Sequence, residues 1–88
     1  MKIYQKTNIT SGTLVHSGAC VLRYIVINTK NTGGIVVSDA ITATTPVVAS
    51  FSANAPEGTY RFDCVMATGI YVDLGATAPD ITVVWEKL

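Results

Sequence analysis

Apolar and polar side chains largely alternate through residues 59–66, 70–74 and 80–86, the period-two pattern of a half-buried strand. Further runs rich in Val, Ile and Thr occupy 3–6, 12–16, 19–29, 34–39 and 47–51. Gly, Pro, Asn and Asp stand between the runs, which predicts about eight strands at a spacing of roughly ten residues. No window carries a useful amphipathic helical stripe, and the Thr-rich stretch 40–46 and residues 52–58 read as loops. The expectation is an all-β, single-domain antiparallel β-sandwich, jelly-roll-like or immunoglobulin-like in strand order. Residues 1–9 read as an N-terminal arm or edge strand and 10–88 as the sandwich.

The turns fit this reading. Asn31-Thr32-Gly33-Gly34 offers the positive φ angles of a tight reversal, and Ala78-Pro79-Asp80 ends one run before the last begins. Gly69 reads as the left-handed residue of a three-residue hairpin loop. That hairpin would oppose Met66 to Ile70, Cys64 to Val72 and Phe62 to Leu74 on one apolar face. Its other face would oppose Asp63 to Asp73, which is unfavourable. Three ways out remain open: a different register, a cation such as Arg23 or Arg61 nearby, or runs that belong to different sheets.

The run 19–29 is apolar at even positions (Cys20, Leu22, Val26, with Tyr24) and at odd ones (Val21, Ile25, Ile27). A strand covered on both sides reads this way. The second apolar face points to a subunit interface around Tyr24 and Ile25, with Arg23 as its polar or ion-paired element. A β-bulge within the run would shift the faces and weaken that inference.

Composition supports association. Hydrophobic residues make up 49% of the 88 and charged residues 14%, against roughly 25% charged in typical soluble domains. Six basic and six acidic residues cancel, which argues against nucleic-acid binding, since that depends on a basic footprint. Neutrality also removes the self-repulsion that opposes assembly. The segment opening Met1-Lys2-Ile3-Tyr4 lacks the apolar core of a signal peptide, and no run is long enough to span a membrane as a helix. In the cytoplasm expected from this, Cys20 and Cys64 read as small buried hydrophobes.

Candidate chemistry is sparse. His16 is the one histidine and reads as structural; neither cysteine stands in a catalytic signature. Two isolated Cys and one His form no zinc set, and Asp63 with Asp73 reads as strand carboxylates rather than a glycosidase or calcium site. Trp85 alternates in phase with Ile81 and Val83 and reads as core. Tyr24 and Tyr71 are conceivable sugar platforms. No catalytic, cofactor-binding or metal-binding residue is assigned, and no enzyme is expected.

Several stretches carry a resemblance: Ser11-Gly12-Thr13-Leu14-Val15, the run from Ala19 to Thr29, Gly33-Gly34-Ile35-Val36-Val37-Ser38-Asp39, Glu57-Gly58-Thr59-Tyr60-Arg61-Phe62-Asp63, Thr68-Gly69-Ile70-Tyr71-Val72 and Asp80-Ile81-Thr82-Val83-Val84-Trp85. Together they resemble the small β-sandwich virion proteins of tailed bacteriophages, among them capsid decoration (cement) and head-associated proteins. The resemblance is one of strands and turns and carries no active-site residues. It implies a virion protein assembled in the host cytoplasm. Such a protein binds and stabilises the major capsid protein lattice, commonly as a homo-oligomer, with a trimer favoured. The alternative is a receptor- or carbohydrate-binding module at a tail or fibre tip. The interface expected on these grounds comprises Ile3, Tyr4, Arg23, Tyr24, Ile25 and Tyr71.

Overall fold

The computed structural model describes residues 4–30, 33–42, 46–75 and 80–88. Their strands are β1 (Gln5–Ile9), β2 (Thr13–Ser17), β3 (Cys20–Thr29), β4 (Ile35–Ser38), β5 (Val47–Phe51), β6 (Gly58–Met66), β7 (Gly69–Leu74) and β8 (Asp80–Lys87). They form two antiparallel four-stranded sheets, ordered β1-β8-β3-β6 and β2-β7-β4-β5, here called sheets A and B. Only β4 and β5 are successive in both sequence and sheet; every other link crosses between sheets. This is the eight-stranded jelly roll, and it excludes the immunoglobulin-like order.

Alternation sets the core. Ile81, Val83 and Trp85 of β8 point inward with Leu22, Ile25 and Ile27 of β3. Sheet B answers with Ile35, Val37, Ile70 and Val72. Trp85 is core as expected, its indole N–H donating to the Thr7 hydroxyl at 3.3 Å. β1 begins two residues later than its sequence pattern implies and runs on through polar Thr7 and Asn8 to pair with β8 at the sheet edge.

The hairpin expected around Gly69 does not form. β6 pairs with β3 in sheet A, and β7 pairs with β2 and β4 in sheet B. Met66, Ile70 and Val72 do share a buried side, but they face one another across the core rather than along a ladder. Gly69 is also required for a different reason. Its φ is not positive; a Cβ there would strike the His16 carbonyl oxygen and stand 3.2 Å from that of Ala40.

The bulge allowed for in the long run is present at Arg23. Against β8, Leu22 pairs with Trp85 and Tyr24 with Val84, so Arg23 is one residue too many. Against β6, Leu22 pairs with Cys64 and Tyr24 with Arg61, so Phe62 and Asp63 together oppose Arg23. The inward set therefore switches from even (Cys20, Leu22) to odd (Ile25, Ile27). The core face changes parity at the bulge, and the outward set is Val21, which is buried, with half-buried Arg23, Tyr24 and Val26. Ile25 has no exposed surface and does not belong to any interface. The reversal at Asn31–Gly34, the turn at Ala78-Pro79 and Ile3 lie wholly or partly outside the described residues.

Candidate functional site

Charge is divided unequally between the sheets. The strands of sheet A carry Lys6, Arg23, Arg61, Asp63, Asp80, Glu86 and Lys87, whereas those of sheet B carry Asp73 alone. The outer faces of the two sheets are therefore different surfaces.

On sheet A the double bulge builds an ionic cluster. Asp63 adopts a left-handed backbone, φ 51°, which Asp tolerates better than most residues. That turn presents its carboxylate to the Arg23 guanidinium at 2.9 Å and to Arg61 on its own strand. Arg23 also donates to Glu86 of β8, and its guanidinium lies 5.7 Å from the centre of the Tyr4 ring. The hydrogen bonds from Arg61 and then Arg23 hold the Asp63 carboxyl below the ordinary range. Arg23 and Glu86 are mostly buried, with side chains 16% and 12% exposed, while Arg61 is 73% exposed. At the other end of the face, Asn8 and Asn28 donate to Asp80 at 2.6 and 3.2 Å. Most of these polar groups are engaged with one another, while the buried Arg23 Nε has no hydrogen-bond partner among the described residues.

On sheet B the outward side carries Leu14, Val36, Val47 and Tyr71 together with Ser17, Ser38, Ser50 and Asp73. Val72 and Val37 point to the core, so Tyr71 and Val36 point away from it. Leu14 pairs with Tyr71, and Val47 pairs with Ser38 beside a bulge at Val48. Leu14, Val47 and Val48 are exposed, as is Ile41, whose Cγ2 lies 3.1 Å from where a Gly69 Cβ would stand. Ser38 is fully buried, and its hydroxyl has no hydrogen-bond partner among the described residues.

Groups with catalytic potential are placed for structure. The His16 ring stacks on Trp85 at 4.2 Å, turned inward by a bulge at Val15. Cys20 and Cys64 are free thiols; burial, and then the nearby Asp39 carboxylate, pushes Cys20 up to about 11 and raises Cys64 as well, so both are protonated and poor nucleophiles at neutral pH. Among the described residues no three His, Cys, Asp or Glu side chains gather as metal ligands.

The residues expected to form one interface are thus distributed over the molecule. Tyr4, Arg23 and Tyr24 share the outer face of sheet A, Ile25 is core, and Tyr71 is on the outer face of sheet B. Compared with protein-family models, curated proteins and solved structures, the chain matches none. The phage resemblance rests on the strand-and-turn pattern alone. Leu14, Ile41, Val47 and Val48 were not singled out by sequence reasoning. Their signal was the absence of Asp, Glu, Lys and Arg from residues 13–17, 35–38 and 47–51, which gains meaning only once those strands are known to share a sheet.

Proposed function

We propose that this chain is a virion structural protein of a tailed bacteriophage, a capsid decoration protein that stabilises the lattice of the major capsid protein and works by packing rather than by catalysis. The observation that carries the reading is the outer side of sheet B, where Leu14, Val47 and Val48 are exposed and Asp73 is the one acidic or basic residue on the strands, on a jelly roll. Jelly rolls recur in capsid and lectin proteins, though fold by itself does not assign function. Contiguous exposed apolar surface marks an interaction site. Binding only to the assembled lattice stabilises it by mass action, and repetition over many sites multiplies the effect.

A glycan-binding reading gains less support. Tyr24 and Tyr71 stand on opposite faces of the sandwich and each is half-buried, so they make no joint stacking platform. The test is co-sedimentation with purified phage capsids. Saturable binding that protects capsids against heat or chelation supports the reading; absence of binding to expanded capsids sinks it and turns attention to glycan arrays.

A further inference from the structure

We propose that the Asp39 carboxylate is the latch of a local opening: it holds shut the end of the sandwich at which Cys20 lies, and neutralising it frees that end while the rest of both sheets stays folded. The inference concerns a conformational step of this chain and does not depend on the capsid reading.

The latch is built on backbone amides. Asp39 follows the last residue of β4 in sheet B. One of its oxygens accepts from the Ala67 amide at 2.9 Å, and the other accepts from Thr68 and Gly69 at 2.7 and 3.2 Å. Those residues carry the chain from β6 in sheet A to β7 in sheet B. Bonds from amides to a charged carboxylate are stronger than neutral ones. The Thr68 carbonyl in turn accepts from the Gly18 amide at 2.8 Å, where the chain passes from β2 to β3. The Asp39 amide donates to the Pro46 carbonyl at 3.0 Å, just before β5. A single side chain therefore ties together the segments that leave β2, β4 and β6.

What lies beneath the latch is a thiol. Cys20 heads β3 opposite Met66, the residue before Ala67, and neither has exposed surface. The ionisable groups around Asp39 are Cys20 and Cys64, both raised by burial and then by its charge, with His16 on β2 and Lys87 opposite Cys20 on β8. Among the described residues no ion pair reaches Asp39, so the amides are what hold its charge in place. The opening is local because the ladders of β3 with β6 and β8 continue from Cys20 to Ile27. Releasing residues 18–20 and 66–69 leaves most of both ladders intact, and strand ends open at lower free energy than ladder interiors.

The experiment, at pH 7 on the full chain, combines N-ethylmaleimide labelling with amide hydrogen exchange. Trypsin cuts after Lys6, Arg23, Arg61 and Lys87, so Cys20 and Cys64 are read in separate peptides. In the unmodified chain, Cys20 labelling and exchange at Gly18, Ala67 and Thr68 should scarcely respond to low urea, because a local opening exposes little surface. The Ile25 amide, in the middle of β3, should respond steeply. Asp39→Asn should accelerate Cys20 labelling and those three amides by about tenfold. Ile81→Val, in the core at the opposite end, should accelerate exchange at Ile25 severalfold and leave Cys20 labelling unchanged, since it weakens a part that stays folded when the latch opens. Cys20 labelling that follows urea as steeply as Ile25 overturns the inference. So does labelling that rises as much as Ile25 exchange in Ile81→Val, or that is unchanged in Asp39→Asn. The urea comparison on the unmodified chain decides the matter even if Asp39→Asn fails to fold.

Discussion

Arg23 and Asp63 face one another at a level where both their strands bulge. β3 carries one extra residue against β8, and β6 carries one extra against β3. The ion pair fills the gap that the two irregularities leave. Arg23 therefore ties three strands of sheet A together, through Asp63 on one side and Glu86 on the other.

Removing the two arginines of this cluster should have unequal effects. Arg23→Ala strands the Glu86 carboxylate in a largely buried position, whereas Arg61→Ala deletes a mostly exposed side chain, and exposed ion pairs contribute little. Urea midpoints should fall clearly for Arg23→Ala and stay near wild type for Arg61→Ala. Equal midpoints would mean that the cluster does not brace the bulge.

The change of parity at Arg23 predicts the result of substitutions one position apart. Ile25→Ala opens a cavity in the core and should cost about 2–5 kcal/mol. Val26→Ala, on the outward side, should cost well under half of that. Chemical denaturation decides it; a reversed order would place the bulge elsewhere.

Gly69→Ala sets a methyl against the His16 carbonyl, a backbone atom that cannot rotate away. The pairing of β2 with β7 must shift, at a cost of about 1–3 kcal/mol. Gly12→Ala meets nothing closer than 3.6 Å, and its φ lies outside the left-handed range, so stability should change by no more than about 0.5 kcal/mol. Paired thermal melts of the two variants provide the comparison.

Acid should weaken the fold through two aspartates. Burial raises the Asp39 carboxyl, but hydrogen bonds from the Thr68, Ala67 and Gly69 amides outweigh this and leave its pKa lowered. Asp63 is lowered by Arg61 and Arg23. A group with a depressed folded pKa contributes stability above its unfolded value, near 3.9 for Asp, and loses it as pH falls through the folded value. Melting temperature should accordingly show no pH dependence from either group between pH 7 and about 5, where both contribute in full, then decline below about 4. Asp39→Asn should lower the neutral plateau and flatten that decline. A slope unchanged by the substitution would exclude Asp39 as a source.

Strand existence was legible because alternation and turn residues are local signals. Seven of the eight expected runs match the observed strands to within a residue at either end. β1 was misplaced because Thr7 and Asn8 look like a break; they remain in strand, where the Thr7 hydroxyl accepts from the Trp85 indole N–H and Asn8 donates to Asp80 across the pair. Partnership was not legible. The apolar positions of β6 and β7 are equally consistent with one hairpin or with two opposed sheets, and only the chain's path between the sheets separates the cases. A bulge is likewise silent in sequence: the core set moves from Leu22 to Ile25 with no residue in the run that marks the change. The exposed Leu14, Val47 and Val48 on the outer side of sheet B required both facts, so they became visible together only in three dimensions.

β8 lies between β1 and β3 in the middle of sheet A, yet it is the last of the eight strands to leave the ribosome. Until it is made, the two strands that flank it have nothing to join them, and the inward side chains of sheet B have no complete layer to close against. The domain is thus compelled to fold after its synthesis, in one late step. A chain truncated before residue 80 should be recovered from cells as aggregate rather than as a smaller folded unit.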